Sequence, residues 1–129
     1  MIIVDTSVWI EFFRGHAPYF DHMGRLFESR EVLALPWIFG ELLQGARNNS
    51  EINILKRTFE SLPKPELALA ERAWILAGAE SFRGKWHSKG VGLIDAAICV
   101  VAHDLGLKVW TLDKKLESIL KFKRLLYVA

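Results

Sequence analysis

The chain has 129 residues, of which 51% are hydrophobic, and its formal net charge is +2. This length and apolar content are typical of a single domain whose core needs no disulfide or metal to fold, and the lone cysteine, Cys99, excludes an internal disulfide and fits a reducing compartment. The longest uncharged runs, residues 32–40 and 96–102, are far shorter than the roughly 20 residues needed to span a bilayer, so we expect a soluble, cytoplasmic protein.

Strands and helices alternate along the chain. Short apolar runs rich in β-branched residues indicate buried strands, and apolar residues at helical spacing indicate helices. Thr6 or Ser7 is expected to cap the first helix and Ser50 a later one, whereas Pro36 fits the first position of a helix. In chain order we predict a strand over 1–4, helices ending at Gly15 and over 18–29, a strand over 32–35, helices over 36–45 and 51–60, an extended segment over 63–65 that can hold a short strand, a helix over 66–82, a loop over 83–90, a largely buried helix over 91–105, a strand over 108–112, a helix over 114–120 and a strand over 125–128.

This alternation indicates an α/β fold with a mostly parallel sheet. In such sheets, ligands bind beyond the carboxyl ends of the strands. Asp5 and Asp113 directly follow predicted strands. Asp95 lies early in the predicted buried helix, and Glu41 lies one turn into the helix after the second strand. The four acids can therefore converge on one rim of the sheet.

Each of these four acids lies in an apolar stretch, where a carboxylate must be paired, hydrogen-bonded or bound to a metal. Taken singly, each one can be an ion pair or a helix cap, and Asp113 can simply cap the helix that follows it. Four carboxylates at one rim stay ionised together only if cations lie between them. Oxygen ligands select Mg²⁺ or Mn²⁺, and the lack of His or Cys at motif distance argues against zinc.

Two stretches are rich in basic residues. Residues 81–92 contain three basic residues and no acid, with Trp86 and His87 among them, and residues 108–124 contain six basic residues against two acids. Basic stretches with interleaved aromatics suit a polyanion, although a solvated face is the plainer interpretation of either stretch alone. The candidate phosphate contacts are Arg83, Lys85, Lys89, Lys114 and Lys115. Acids and basic stretches together predict a metal-dependent phosphodiesterase that acts on nucleic acid.

Other phosphate chemistries fit this sequence less well. No glycine-rich motif with a following Lys-Ser or Lys-Thr is present, so a P-loop is excluded. A phosphatase with an aspartyl nucleophile usually has a second Asp two residues after the first, and Ser7 occupies that place. Neither Ser7 nor Cys99 has an evident His and acid partner for nucleophilic catalysis.

The motifs around the four acids resemble, in order and spacing, those of the PIN-domain ribonucleases. Within that family they look like the VapC-type toxins of prokaryotic toxin–antitoxin pairs. The resemblance covers the whole chain and implies that residues 1–129 form a single nuclease domain, a three-layer α/β/α sandwich around a parallel sheet. The matching segments are Val4-Asp5-Thr6-Ser7-Val8-Trp9-Ile10, Phe39-Gly40-Glu41-Leu42, Leu93-Ile94-Asp95-Ala96-Ala97-Ile98 and Thr111-Leu112-Asp113.

The resemblance also implies an activity, a cofactor and partners. The activity would be endonucleolytic cleavage of RNA, possible substrates being tRNA or rRNA, by water activated at Mg²⁺ or Mn²⁺, leaving 3′-hydroxyl and 5′-phosphate ends. A homodimer would be silenced by a small antitoxin protein whose C-terminal segment lies across the active-site groove. By resemblance, Asp5, Glu41, Asp95 and Asp113 would be the catalytic metal ligands, with Thr6 and Thr111 as supporting hydroxyls.

Lys115 departs from the family pattern, because family members often carry a further acid at that position. A basic residue there predicts that one metal ion binds much more tightly than a second. Some of the aromatic residues near the first two acids are expected to line a partner surface, and most of them to lie in the core; these residues are Trp9, Phe12, Phe13, Trp37 and Phe39. Two alternatives remain open: a PIN nuclease of RNA processing or structured DNA, and a catalytically weak module that binds RNA or protein.

Overall fold

A computed structural model describes all residues, 1–129. Ten regular elements and one short 3₁₀ turn, His87–Lys89, make up the fold. In chain order the elements are β1 (Ile2–Val4), α1 (Thr6–Phe13), α2 (Tyr19–Glu28), β2 (Val32–Leu33), α3 (Pro36–Gln44), α4 (Asn49–Ser61), α5 (Leu67–Gly84), α6 (Leu93–Leu105), β3 (Lys108–Trp110) and α7 (Lys114–Phe122).

The three strands form a parallel sheet in the order β2-β1-β3. Ile3, in the central strand, pairs with Leu33 on one side and with Val109 on the other. An isolated parallel bridge between Val109 and Leu126 adds one further pairing beyond β3. The sheet is flanked by seven helices, because parallel strands need crossover connections that cover its faces. The predicted α/β fold with a parallel central sheet is confirmed.

The core is one hydrophobic cluster of 34 buried residues. All of β1 and β2 is buried, which explains their unbroken apolar sequences. Helix α6 is buried from Ala96 to Ala102, as its apolar circumference predicts, and it packs against α5 and β3. None of the helices has the length and apolar character that crossing a membrane requires.

The helix caps differ in part from the sequence expectations. Pro36 does occupy the first turn of α3. Asp5, rather than Thr6 or Ser7, holds the N-cap position of α1, and no side chain makes a capping bond there. In α4 the capping acceptor is Asn48 Oδ1, which receives the Glu51 amide at 2.9 Å, so the prediction of Ser50 as the cap is wrong.

The strands are shorter than predicted, and the central strand β1, with which both β2 and β3 pair, has only three residues. Strand β2 ends at Leu33, β3 ends at Trp110, and the predicted strand over 125–128 is reduced to the bridge at Leu126. Residues 63–65 form no strand, although the Pro63 carbonyl accepts a bond of 2.8 Å from the Ala34 amide. The predicted loop over 83–90 is partly helical, since α5 continues to Gly84, and α6 begins at Leu93 rather than at residue 91.

Candidate active site

Asp5 lies at the carboxyl end of the central strand and is only 5% exposed. Its amide donates to the Trp110 carbonyl at 2.9 Å, which continues the β1–β3 pairing by one residue and aligns Asp5 with Thr111. The Oδ2 atom of Asp5 accepts hydrogen bonds from Thr111 Oγ1 at 2.8 Å and from Ser7 Oγ at 3.0 Å. A buried carboxylate is thereby held in one orientation by two hydroxyl donors.

The same two hydroxyls also tie the ends of β1 and β3 together. Thr111 Oγ1 accepts from the Asp113 amide at 3.0 Å, and Ser7 Oγ accepts from the Leu112 amide at 3.0 Å. Thr111, which we singled out from the sequence, therefore contacts a site carboxylate. Ser7 was missed as a supporting residue, although its place two residues after a buried acid at a strand–helix junction was a usable signal.

Glu41 and Thr6 form a second hydroxyl–carboxylate pair. Thr6 Oγ1, in the first turn of α1, donates to Glu41 Oε1 at 2.9 Å. Both side chains are partly buried, and the pair bridges the packed helices α1 and α3. Thr6 is thus a partner of a site acid rather than a helix cap.

Asp113 is exposed and does cap the following helix. Its Oδ1 atom accepts from the amides of Lys115 at 2.8 Å and Leu116 at 3.2 Å. Capping is the plainer role that the sequence allowed for this residue. It uses one carboxylate oxygen only, and Asp113 Oδ2 makes no hydrogen bond within the chain.

Asp95 is the acid whose pKa is raised by burial and by the other three acids. It lies in the first turn of α6 and is partly buried. Burial, and after it the negative charges of Asp5, Asp113 and Glu41, raise the pKa of the Asp95 carboxyl to about 7. None of the four acids forms an ion pair with a basic side chain. The structure therefore brings four carboxyl groups to one region without a cation from the chain itself, so the ion-pair alternative does not hold for any of them.

The donor chemistry of this cluster suits a hard cation, but no ready-made cage is present. No three Asp, Glu, His or Cys side chains are placed close enough together to hold a metal ion by themselves. Mg²⁺ commonly binds through one or two carboxylates and keeps several of its waters, so it does not require such a cage. Carboxylate oxygens without hydrogen-bond partners remain on Asp5, Glu41, Asp95 and Asp113. These residues fit a hydrated divalent cation.

The candidate phosphate contacts fall into two groups. Arg83 pairs with Glu80 at 3.1 Å, and Lys114 pairs with Glu117 at 3.8 Å. The other three are exposed and form no ion pair: Lys85, Lys89 and Lys115.

Lys115 joins the two basic stretches. A Cβ atom at Gly90 would lie 2.9 Å from Lys115 Nζ, so the lysine passes directly over the loop that precedes α6. Gly90 also has a φ of +81°, a conformation that favours glycine. The two basic stretches, separated in sequence, thus meet beside the helix that carries Asp95.

Most of the aromatic residues near the first two acids are in the core, as predicted. Trp9, Trp37 and Phe39 are buried. Phe13 is exposed and lines a groove of about 350 Å³ that also borders Thr6 and Glu41. The rest of the groove wall combines apolar side chains such as Ile10 and Ile54 with charged ones, among them Arg47, which pairs with Glu51 at 2.9 Å.

Comparison with known proteins agrees with this geometry at the level of the family. The family model of the PIN domain matches residues 2–121, nearly the whole chain. A search of curated proteins returned no match. PIN domains are generally metal-dependent nucleases that act on RNA. The match and the parallel sheet with acids at its carboxyl edge lead to one conclusion: the chain belongs to the PIN domain family.

Proposed function

We propose that residues 1–129 act as one endoribonuclease domain that depends on Mg²⁺ or Mn²⁺ and cleaves RNA to 3′-hydroxyl and 5′-phosphate ends. The observation that carries this proposal is the state of Asp95. Burial, and after it the charges of three other acids, raise its pKa, and none of the four acids forms an ion pair with a basic side chain. A like-charged cluster of this kind is costly to maintain, and a divalent cation offsets that cost.

We assign Asp5, Glu41, Asp95 and Asp113 as the residues that would hold the cation. When bound, it neutralises charge on the carboxylates and the phosphate and lowers the pKa of a water molecule. Asp5 is the most firmly oriented of the four, since Thr111 and Ser7 both donate to its Oδ2 atom and leave Oδ1 free. Thr6 holds Glu41 in the same way through Oε1. The hydroxyls thus orient the carboxylates, and the unpaired lysines face the RNA backbone.

Cleavage of RNA by the purified protein tests the proposal. Wild type incubated with total RNA and with single-stranded DNA of matched length should cut the RNA with Mn²⁺ or Mg²⁺ and not with EDTA. Asp5→Asn and Asp95→Asn should each lower the rate at least about 100-fold, because each removes a ligand charge worth several kcal/mol at the transition state. Asp104→Asn, an exposed acid at the far end of α6, is the matched control and should cut like wild type. Equal cleavage by all three variants would refute the assignment.

Lys115 supports one tight metal site rather than two. It stands two residues after Asp113, carries no ion pair, and adds a positive charge beside the acids. Calorimetric titration with Mn²⁺ should therefore show one tight site, and a second only with bound RNA. Two equally tight sites in the free protein would contradict this.

We further propose that the protein is a toxin of the VapC type, silenced in the cytoplasm by a small antitoxin. The groove beside Glu41 supports this, because its exposed apolar residues Phe13 and Ile54 suit the apolar face of an amphipathic peptide. An antitoxin encoded by a short neighbouring reading frame should inhibit cleavage when it is co-purified with this protein. Phe13→Asp should weaken that inhibition and leave cleavage itself unchanged. Full inhibition of this variant would argue against the groove.

A homodimer is also proposed, and the exposed apolar side chains of α5 support it. Leu67, Ile75 and Trp74 are all exposed on this helix, and such apolar area on a soluble surface commonly marks an interface. Light scattering should give twice the chain mass for wild type and a monomer for Ile75→Glu. A monomeric wild type would exclude the dimer.

One observation favours a second candidate function, a module that binds RNA without efficient cleavage. The acids form no group of three that holds a metal by itself. If wild type binds RNA but releases no fragments with any divalent cation, this candidate replaces the nuclease.

A further inference from the structure

Phe82 and Phe122 are the most exposed aromatic side chains of the protein, at 85% and 88%. They lie in the last turns of α5 and α7. Both have basic neighbours in the sequence: Arg83 comes directly after Phe82, and Lys121 and Lys123 flank Phe122. A phenyl ring left in water forgoes the free energy of burial, so two such rings in similar basic settings point to a ligand that covers them.

The fold brings the two helix ends together. Lys123 Nζ lies 5.2 Å from the centre of the Trp86 ring, a cation–π contact between α7 and the segment after α5. The Trp86 amide donates to the Ser81 carbonyl at 3.0 Å, which folds this segment back on the end of α5. A Cβ atom at Gly84 would lie 2.2 Å from Trp86 Nε1, so glycine makes this close approach possible. We call this surface the α5–α7 junction; it comprises Phe82, Lys85, Trp86, Phe122 and Lys123.

The junction is strongly positive. Residues 81–92 and 121–129 together contain six basic residues and no acidic one. Arg83 and Lys121 are neutralised by Glu80 and Glu117. The other four basic side chains form no ion pair: Lys85, Lys89, Lys123 and Arg124. Free cations around exposed rings are complementary to a polyanion that carries flat apolar groups.

The junction adjoins the four acids Asp5, Glu41, Asp95 and Asp113, which we call the acid cluster. Lys115 passes over Gly90, so α7 and the loop before α6 are in contact between the two sites. One ligand strand can therefore contact the junction and reach the acids.

We propose that the α5–α7 junction binds unpaired RNA, with bases stacked on Phe82 and Phe122 and phosphates held by Lys85 and Lys123. This rests on the proposed endoribonuclease function and narrows its substrate to single-stranded or looped segments. Base stacking on aromatic rings tolerates any base, whereas a duplex hides the faces that stacking needs. A second copy of the chain suits this surface less well, because a two-fold interface would set its free cations against each other.

Binding to defined RNA probes tests the junction. All proteins carry Asp5→Asn to prevent cleavage, and fluorescence anisotropy is recorded with three labelled probes of equal length: single-stranded RNA, hairpin RNA with a short loop, and an abasic ribose-phosphate chain. Phe82→Leu with Phe122→Leu should weaken binding of the single strand at least about tenfold. It should change binding of the abasic chain less than about twofold, since that chain has no bases to stack. Lys123→Ala should weaken binding of all three probes.

Matched controls separate a local from a global effect. Phe13→Leu removes an exposed ring of the groove beside Glu41 and should leave binding of every probe unchanged. Thermal melting should show that the double Phe variant is folded, as expected for rings that make little contact with the core.

The outcomes distinguish this inference from the proposed function. If the double Phe variant binds the single strand like wild type, or weakens binding of the abasic chain equally, the junction proposal is wrong. If light scattering shows that the double Phe variant is a monomer where wild type is a dimer, and RNA binding is unchanged, then a second copy of the chain covers this surface. The proposal is wrong in that case too. Cleavage by the enzyme with Asp5 intact is measured in parallel. Loss of stacking without any wild-type cleavage would support the junction while refuting the nuclease.

Discussion

The acid cluster and the α5–α7 junction are built in opposite ways. In the acid cluster, Asp5 is buried and receives two hydroxyl hydrogen bonds, and Glu41 receives one. In the junction, Phe82 and Phe122 are almost fully exposed, and four nearby cations have no acid partner. The acids are held by hydrogen bonds within the fold, whereas the exposed rings and unpaired cations of the junction are free to contact a ligand.

This difference separates two tasks. Groups that take part in chemistry must be oriented before the substrate arrives, and they bear the cost of like charges in a confined space. Groups that supply affinity for a long polyanion need exposure and positive charge more than exact geometry. Substitutions in the first region should therefore change rate and stability, and substitutions in the second should change affinity and its salt dependence.

Among the residues that support the acids without being assigned to the metal, the largest expected effect comes from Thr111→Val. This change removes the donor to Asp5 and the acceptor of the Asp113 amide, and it leaves a buried carboxylate short of one partner. We expect about 1–3 kcal/mol lower stability in urea unfolding and a cleavage rate reduced by about tenfold. Thr111→Ser keeps the hydroxyl and is the control. A Val variant as active as the Ser variant would show that orientation of Asp5 is unimportant.

The second prediction concerns pH. Because the pKa of Asp95 is about 7 in the folded protein and 3.8 as its ordinary value, the folded state holds a proton there that the unfolded state releases. Stability of the metal-free protein should therefore fall as pH rises from about 4 to about 7, and stay low above that range. The Asp95→Asn variant has no carboxyl to ionise, so its stability should not fall over this pH range. In EDTA at pH 8 it should be more stable than wild type by roughly 2 kcal/mol, which is half of the free energy that the pKa shift represents, because the side chain is only partly buried.

The measurement is thermal or urea unfolding of both proteins at pH 4.5 and pH 8. Mn²⁺ should raise the wild-type midpoint at pH 8 more than at pH 4.5, because only the ionised acids bind it. If the difference in stability between the two proteins does not change with pH, the pKa of Asp95 is not raised in the folded protein.

The third prediction tests the boundary between the two regions. Gly90→Ala places a methyl group 2.9 Å from the Lys115 side chain at a φ of +81°. It should cost about 1 kcal/mol of stability and displace Lys115, which weakens RNA binding. Gly92→Ala is the matched control, since nothing lies within 4 Å of its added Cβ and its φ is −80°. If both variants behave alike, the Gly90–Lys115 contact has no role.

The smallest effect is expected for Lys115→Ala. An unpaired lysine that contacts one phosphate contributes about one ion to the salt dependence of binding, so the slope of log K against log salt should fall by about 0.7–1. Lys114→Ala should change the slope less, because Lys114 is paired with Glu117. Equal slopes for both variants would place the RNA elsewhere.

Part of the candidate site was foreseeable from the sequence. The position of an acid directly after a buried strand is a local property, so the α/β class and the location of Asp5 and Asp113 followed from pattern alone. The roles of the hydroxyls did not. The resemblance offered Thr6 and Thr111 as supporting hydroxyls, but their bonds to Glu41 and Asp5 span 35 and 106 residues of sequence, so no local pattern shows these partners. The bond from Ser7 to Asp5 spans only two residues, and Ser7 was passed over as a supporting residue.

The sequence by itself determined the fold class, the buried helix α6 and the acids at the strand ends, because periodicity and composition act over a few residues. Only the tertiary structure decided which side chains face water. Trp86, expected among the basic residues as a partner for a polyanion, is buried beneath Lys123, whereas Phe82 and Phe122 are exposed. Exposure depends on which other element packs over a residue, and that is set by contacts between distant parts of the chain.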